Sequence, residues 1–434
     1  MFSVLLILVF LVVAMPLTII FDGPITQGLL AVATALSIVL VALRIRPGEA
    51  GFLSSVLLPG FLFATFPALV MLIQLFPVQG IGLAHPVWDS ASTVLGYSLA
   101  GTISVDPGAT VISLVRYLSA ASITFVAAAV AVDRRRAKVV LFSLMVATAL
   151  IALTALKAKT GVSTFQGTLY GSLARANAET AASLGIIFAI AAGLLTYEQA
   201  RMQRQELEIS PPKIWAVSAI CVIAVMVYLT AVLIQGTGDT YYAAICGVVT
   251  LAIVVIIRWV GLGAWGVAAL VSTTLFIAIA VAALQFNSGG LDVALAFASQ
   301  DLKSEFTVTQ RLLAETSWLG TGAGTFASVV PIYQDIASLE NEQIAPTTAA
   351  AIMIEMGRPF FWTMLLVAII MVWSLFRGAL RRQRDFYYPA VGASCIVVIA
   401  LLSFRNSALL ATPISTIAAV AIGLAIAQSK SRLV

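Results

Sequence analysis

The sequence predicts an all-α polytopic membrane protein of about twelve transmembrane helices, with one long outer loop between helices nine and ten. Hydrophobic residues make up 61% of the 434 residues and charged residues only 10%. So little polar surface cannot cover so apolar a core in water, which leaves lipid as the solvent. Apolar runs of about 18 residues or more recur along the chain, each long enough to cross about 30 Å of hydrocarbon.

Backbone hydrogen bonds must be closed within each segment that crosses lipid, which favours helices. A β-barrel would need short alternating strands, and the sequence has no such pattern. The spans are predicted near residues 2–21, 26–43, 51–76, 109–132, 139–156, 178–197, 213–235, 240–257, 259–285, 347–376, 387–404 and 408–428. Their lengths indicate that 51–76 and 259–285 are kinked or tilted.

The first run, MFSVLLILVFLVVAMPLTIIF, has neither a basic region nor a small-residue cleavage site. It therefore predicts a first membrane span rather than a removed signal peptide. The expected organisation is nine spans in residues 1–285, an outer loop in 286–346 and three spans in 347–434.

Lysines and arginines indicate the orientation of these spans. Sixteen of the 24 follow even-numbered spans, as in the run Arg134, Arg135 and Arg136 after span four. Basic residues concentrate on the cytoplasmic side of membrane proteins, so the even-numbered ends and both termini are predicted to be cytoplasmic.

The other eight bases break this rule, because they lie in outer loops or in the outer parts of spans. They are Arg116, Lys157, Lys159, Arg175, Lys303, Arg311, Arg358 and Arg405. Any one of them is explained by an ordinary loop charge or a snorkelling side chain. Eight together favour an anionic ligand at the outer face, because a bare charge in hydrocarbon costs several kcal/mol.

The outer loop is too long for a simple connection. QDLKSEFTVTQRLLAETSWL has apolar residues at helical spacing, which predicts a short amphipathic helix on the outer surface. Gly320, Gly322 and Gly324 follow, and they permit a tight turn or the close approach of a ligand. A GxGxG pattern without a preceding strand is no nucleotide fingerprint, so an ordinary loop turn remains an alternative.

Two further patches carry charge at the outer side. Arg175, Asn177 and Glu179 lie at the start of span six, where Arg175 and Glu179 are four residues apart and could pair. Glu355 and Arg358 lie in span ten, as a structural pair or as part of a site. The three cysteines lie in apolar runs, and His85 is the only histidine, so neither a metal nor a cofactor is predicted.

Four stretches, in this order, resemble the family of O-antigen ligases and polymerases of bacterial envelope assembly. GSLARANAETAASL is similar to the family's Asn-rich step before a span, and WLGTGAGTFASVVPIYQD to its glycine turn and aromatic-rich helix. APTTAAAIMIEMG is similar to its Ala-His-Asn…Glu-x-Gly start of a late span. SFRNSALLATPISTIAAVAIGLAIAQS resembles its C-terminal pair of spans. The resemblance covers most of the chain.

The resemblance implies a glycosyltransferase of the bacterial inner membrane, with the long loop in the periplasm. Its substrate would be an oligosaccharide linked through diphosphate to undecaprenol, and membrane lipid would be its other contact. Such an activity implies polysaccharide chain-length or export proteins as partners, and no nucleic acid. Arginines would neutralise the leaving diphosphate, so Arg175 and Arg311 are the expected catalytic bases.

The other expected site residues follow from the same reading. Lys303, Arg405, Arg116 and Asn177 would bind the substrate, and Tyr333 and Asp335 would hydrogen-bond sugar hydroxyls. The ligases carry a histidine where this chain has Pro346, and proline cannot accept a proton. This difference favours a polymerase, with Glu355 as a conceivable base, or a member without catalysis.

A transporter or flippase for lipid-linked glycans is the main alternative class, because it would also have twelve spans with charges in a cavity. A non-catalytic assembly protein is the third. The absence of an internal repeat and the single dominant outer loop favour the enzyme.

Overall fold

A computed structural model describes residues 1–19, 23–45, 47–77, 83–159, 168–205, 211–235, 238–260, 295, 303–334, 344–382 and 385–430. Within these ranges the protein is almost entirely helical. Extended pairing there is limited to one isolated bridge between Pro77 and Thr102. The predicted all-α class is therefore confirmed for the described part of the chain.

The α-helices are numbered in chain order. They are α1 (Phe2–Thr18), α2 (Pro24–Arg44), α3 (Pro47–Leu75), α4 (Val87–Leu95), α5 (Pro107–Ala131), α6 (Arg134–Lys159), α7 (Thr168–Gln205), α8 (Pro211–Gln235), α9 (Gly238–Val260), α10 (Lys303–Glu315), α11 (Phe326–Val329), α12 (Thr348–Met356), α13 (Arg358–Arg381), α14 (Tyr387–Ser403) and α15 (Thr412–Ala427). Two short 3-10 turns cover Val330–Ile332 and Ala408–Leu410.

Seven of these helices are long and apolar enough to cross a membrane, by length and composition: α2, α5, α6, α7, α8, α9 and α13. The helix α3 adds an eighth when its two parts, bent by 63° between Leu58 and Phe63, count as one span. The sequence places Pro59 and Gly60 at this bend, and proline inside a helix removes a backbone hydrogen bond and bends the helix. The protein is thus a multi-pass helical membrane protein.

The predicted spans agree with the helices at most positions. The predicted spans 2–21, 387–404 and 408–428 correspond to shorter apolar helices, and residues 261–285 of the ninth span lie outside the described residues. The tenth span differs from the prediction, because the chain breaks at Gly357 between α12 and α13. Gly357 has a φ of +89°, which an α-helix cannot contain.

The helix α7 lies at the centre of the bundle. Its apolar window is 83% buried, and it packs against α6, α8, α9 and α14. Small residues allow these helices to approach closely, as where Gly185 faces the ring of Tyr228. The buried Tyr228 hydroxyl donates to the Met145 carbonyl at 2.5 Å and lies 2.9 Å from the Thr148 hydroxyl, so its hydrogen bonding is satisfied.

Among the described residues, bases that follow even-numbered spans make contacts with one another's segments at one end of the bundle, here called the basic end. Arg134 at the start of α6 pairs with Asp385 before α14, with 2.5 Å between Nε and Oδ2. Lys430 after α15 donates to the Ser55 carbonyl in the first part of α3 at 2.8 Å. The glycine turn, the helices α10 to α12 and the 3-10 turn Ala408–Leu410 lie at the opposite end, here called the loop end.

We predict that the two ends lie on opposite sides of the membrane. A cysteine replacing Ala327 at the loop end and one replacing Arg135 at the basic end are both on exposed positions. In a background without the native cysteines, an impermeant maleimide applied to sealed vesicles should label only one of the two. Equal labelling of both from one side would contradict the arrangement.

Candidate functional site

The glycine turn and the helix break at Gly357 are docked on each other through their backbones. The Thr321 N–H donates to the Ile354 carbonyl at 2.9 Å, and the Gly322 N–H donates to the Glu355 carbonyl at 3.0 Å. These carbonyls belong to the last turn of α12, where no intrahelical partner remains. The turn therefore caps α12 from outside the helix.

Glycine is required at this contact for two reasons. Gly320 and Gly357 have φ values of +76° and +89°, which side chains disfavour. A Cβ on Gly320 would also collide with the Glu355 carbonyl, and one on Gly357 with the Trp318 carbonyl. The two glycines thus let two stretches of backbone touch.

The other two turn glycines face the start of α5. A Cβ on Gly322 would meet the side chain of Ser104, and one on Gly324 would meet that of Ser113. The sequence leaves open that these glycines let a ligand approach the backbone closely. In the structure they let Ser104 and Ser113 of the protein itself approach it.

Gln74, at the C-terminal end of α3, connects the segments of this junction. Its Nε2 donates to the carbonyls of Leu319 at 3.0 Å and Glu355 at 2.9 Å, and its Oε1 accepts from the Ala323 N–H at 3.1 Å. The residue is only 1% exposed. Both ends of its amide are satisfied, so Gln74 joins α3, the turn and α12 in one buried connection.

The Glu355 side chain is bonded by backbone groups of the glycine turn and of α11. Its Oε1 accepts from the Phe326 N–H at 3.3 Å, and the Gly324 N–H also bonds this carboxyl. Successive backbone N–H groups form a natural anion site, and here the protein's own carboxylate fills it. This geometry favours a role in positioning the turn over a role as a base.

Glu355 lies outside the helices that are long enough to span the membrane. Burial raises the pKa of its carboxyl to about 7, against the opposing effects of the two amides and of the charge of Arg116. Glu355 as a residue is half-buried, although its carboxyl group lies deep in the protein. Its charge near neutral pH is therefore sensitive to its surroundings.

A second polar group lies where the N-terminal part of α7 meets α9 and the end of α14. Glu179 and Arg405 are buried, at 5% and 6% exposure, and the Glu179 Oε2 accepts from the Thr240 hydroxyl at 3.1 Å. The positive charge of Arg405, and more weakly that of the exposed Arg175, acts on Glu179. Asn177 is also buried, and its Oδ1 has no hydrogen-bond partner among the described residues.

Asn406 connects this polar group to the beginning of α12. The backbone N–H and the hydroxyl of Thr348 both donate to the Asn406 carbonyl at 2.9 Å. The Asn406 amide donates to the Thr180 hydroxyl at 3.4 Å. The first turn of α12 is thereby held near α7, and its last turn is held by the glycine turn.

The helix α10 covers residues 303–315 of the stretch for which a short amphipathic helix is predicted. Leu312 and Leu313 pack with Ala349 and Ile354 of α12. Arg311 is exposed, and Lys303 begins the helix with its side chain outside the described part.

The residues after the turn are close to the end of α10. Tyr333 is half-buried and hydrogen-bonds with Glu315, so its pKa is raised, first by burial and then by that carboxylate. Arg358 donates to the Leu313 carbonyl at 2.9 Å. Asp335 lies outside the described residues.

The predicted site residues thus form three groups around α12. Arg116 and Glu355 are at its C-terminal end, and Arg175, Asn177 and Arg405 are near its N-terminal end. The rise of 1.5 Å per residue separates the two ends of this helix by about 12 Å. Arg311 is on the adjoining α10. The convergence of Arg175 and Arg311 on one cavity stays a prediction.

His85 has structural contacts. Its Nδ1 accepts from the Val87 N–H at 3.3 Å, its backbone N–H donates to the Thr102 carbonyl, and burial lowers its pKa. Pro346 is buried directly before Thr347, whose hydroxyl accepts from the Ala350 N–H at 3.0 Å and caps α12.

Gln74 is the site residue that the sequence reasoning missed. The available signal was a lone amide in the apolar run LVMLIQLFP, because a polar side chain in a membrane helix usually has a specific partner. Thr240 and Asn406 carried no comparable signal, since hydroxyls and amides near helix ends are common.

Within the described ranges, no three His, Cys, Asp or Glu side chains come close enough together to hold a metal ion. The chain matches no protein-family model, and no curated protein matches it. The arrangement of charged and polar groups at the loop end is therefore the basis for a functional argument.

We predict that Gly357→Ala destabilises the protein. The combination of a φ of 89° and a ψ of 158° disfavours alanine by about 1–3 kcal/mol, and the added Cβ collides with the Trp318 carbonyl. The thermal midpoint of the purified protein in detergent should fall clearly. Gly193→Ala in α7, where a Cβ meets nothing within 4 Å, is the matched control and should be neutral or slightly stabilising. Equal midpoints for the two variants would contradict the docking.

We predict a pH dependence of stability from Glu355. The pKa of this carboxyl is raised from the ordinary 4.5 to about 7 in the folded protein. The contribution of Glu355 to the free energy of unfolding is therefore complete below about pH 4.5 and is lost as the pH rises through 7. The thermal midpoint should fall less between pH 5 and 8 for Glu355→Gln than for the wild type. Asp89→Asn, at an exposed loop-end position, should keep the wild-type slope. An unchanged slope in Glu355→Gln would refute the assignment.

Proposed function

We propose that this chain is a membrane glycosyltransferase that transfers or polymerises a glycan carried on undecaprenyl diphosphate at the periplasmic face of the bacterial inner membrane. The observation that carries the proposal is the set of arginines at the loop end, around α12 and opposite the basic end. They are Arg116, Arg175, Arg311, Arg358 and Arg405.

Cations at this end suit the proposed chemistry. The bond between the anomeric carbon and the diphosphate breaks, a bond to an acceptor hydroxyl forms, and the hydroxyl proton goes to a base. Negative charge grows on the leaving diphosphate, and guanidinium groups placed in advance stabilise it. Arginine is suited to this because its planar fork binds two phosphate oxygens at once.

The polymerase reading is favoured over the ligase reading. Pro346 cannot take a proton, and the Glu355 carboxyl is engaged by the N–H groups of Gly324 and Phe326. We assign Glu355 to holding the turn. The proton of the acceptor hydroxyl then passes to a group on the acceptor side or to solvent. Arg175 and Arg311, both exposed, remain the proposed contacts of the diphosphate.

The proposal includes a topology of twelve spans with 286–346 in the periplasm and both termini in the cytoplasm. It is supported by the clustering of the bases after even-numbered spans at one end. The break at Gly357 means that the tenth span begins at Arg358, with α12 as a short helix beside the site.

The proposal is tested by release of the carrier. Purified protein in liposomes is given a synthetic undecaprenyl-diphosphate oligosaccharide, and free undecaprenyl diphosphate and longer glycan are measured. An enzyme produces both. Movement of intact donor across the bilayer without release would identify a transporter and overturn the proposal.

We predict that Arg175→Ala and Arg311→Ala each reduce carrier release by roughly tenfold to a thousandfold, since each removes a charge-assisted contact to the leaving group. Arg135→Ala, which removes an exposed arginine from the basic end, is the matched control and should change little. His85→Ala should stay within about threefold, because loss of a general base costs about 10²–10⁴-fold. Loss of release in His85→Ala alone would contradict catalysis led by arginines.

A further inference from the structure

Two large apolar side chains directly before the glycine turn are exposed, although their backbone is fixed. Trp318 is 81% exposed and Leu319 is 42% exposed. The Trp318 carbonyl lies against Gly357, and the Leu319 carbonyl accepts a hydrogen bond from Gln74 at 3.0 Å. A well-held backbone therefore presents an indole ring and a leucine side chain outward.

The same backbone contacts fix the level of Trp318 along the bundle. Gly357 directly precedes α13, which is long and apolar enough to cross a membrane. Gln74 is in the last turn of α3, whose second part completes the bent span. The two helices also meet through the stacked rings of Phe66 and Phe360, with 5.6 Å between their centroids. Trp318 therefore lies between the loop-end termini of two membrane-crossing helices.

The length of α13 places this level at the surface of the bilayer. The helix ends at the exposed Arg381, and arginines at the ends of spans lie at the edge of the hydrocarbon. About 20 helical residues cross a hydrocarbon core of about 30 Å, so the boundary at the loop end falls near Phe361. Gly357 lies about 6 Å beyond this boundary, and the interfacial layer is about 5–8 Å thick on each side. Trp318, beside Gly357, is therefore at the level of that layer.

The chemistry of the two side chains suits this level. Tryptophan concentrates where hydrocarbon meets headgroups, because its ring is apolar and its N–H needs an acceptor. The surface of α13 that begins beside the turn is apolar and open, with Trp362, Leu366 and Ile369 between 52% and 59% exposed. The apolar side of α10 is packed on α12, so it is not free to lie on lipid. Contact with the bilayer at this place is left to the residues before the glycine turn.

We propose that Trp318 and Leu319 insert into the interfacial layer of the bilayer at the loop end and anchor the glycine turn there. The partner is the layer of phospholipid ester carbonyls and headgroups, which covers the ring and accepts the indole N–H. Lipid then holds from outside the junction that Gln74 connects from inside. The anchor requires no transfer activity, so a failure of the proposed function leaves it unaffected.

The depth of Trp318 is measured by fluorescence quenching of the full-length protein in phosphatidylcholine liposomes. The indole emission of the wild type is compared with that of Trp318→Phe, because the difference isolates one of the seven tryptophans. Phosphatidylcholine brominated close to the headgroup should remove more of this difference signal than phosphatidylcholine brominated at the chain end. Acrylamide in the water should remove little of it.

Trp362→Phe is the matched control, because Trp362 lies in the first turns of α13 on its exposed apolar surface. Its difference signal should also be quenched by brominated lipid, which verifies that the method reports contact with the bilayer. Trp318→Phe should keep the thermal midpoint of the wild type, since the side chain is exposed. If its midpoint falls, Trp318→Tyr supplies the difference signal instead, with excitation at a wavelength that only indole absorbs.

Three results would overturn the anchor. Quenching of the Trp318 signal by acrylamide and by neither lipid would place the turn in water. Quenching by none of the three reagents would mean that protein, such as a second copy of the chain, covers the ring. Strongest quenching by bromine at the chain end would place the ring in the hydrocarbon rather than in the interfacial layer.

Discussion

The backbone contact between Gly320 and Gly357 is the constraint on which the loop end depends. It stops the helix after α12, because Gly357 takes a left-handed φ, and it lets the turn supply hydrogen bonds to the last carbonyls of that helix. Gln74 then ties the same junction to α3. A short helix that could not be stable alone is thereby fixed at both ends.

This fixed helix explains how charges from distant parts of the chain come to one end. Its C-terminal end brings Glu355 near Arg116, and its N-terminal end is held by Asn406 beside Glu179 and Arg405. The two clusters are unlike each other. The one near α7 combines the buried Glu179 and Arg405 with the exposed Arg175, whereas the arginine on α5 is exposed. A charged ligand therefore reaches Arg175 and Arg116 more easily than the buried Arg405.

The sequence was sufficient for the all-α membrane class and for most of the long apolar helices, because the length of an apolar run is a local property. It predicted α10 and a tight turn at the glycines. It predicted an unbroken tenth span, because the break at Gly357 depends on a contact with a segment almost forty residues earlier. It also could not assign the partners of Glu355, since the N–H groups that bind this carboxyl become an anion site only when the turn is folded.

The docking of the turn is tested most directly by a disulfide between the turn and the start of α5. The Ser328 hydroxyl donates to Oδ2 of Asp106 at 3.2 Å, so cysteines at these two positions replace side chains that are in contact. In a background without native cysteines, mild oxidation in native membranes should cross-link this pair rapidly, and should leave a pair at Ser328 and Arg135 free. Cross-linking of the first pair no faster than the second would contradict the account.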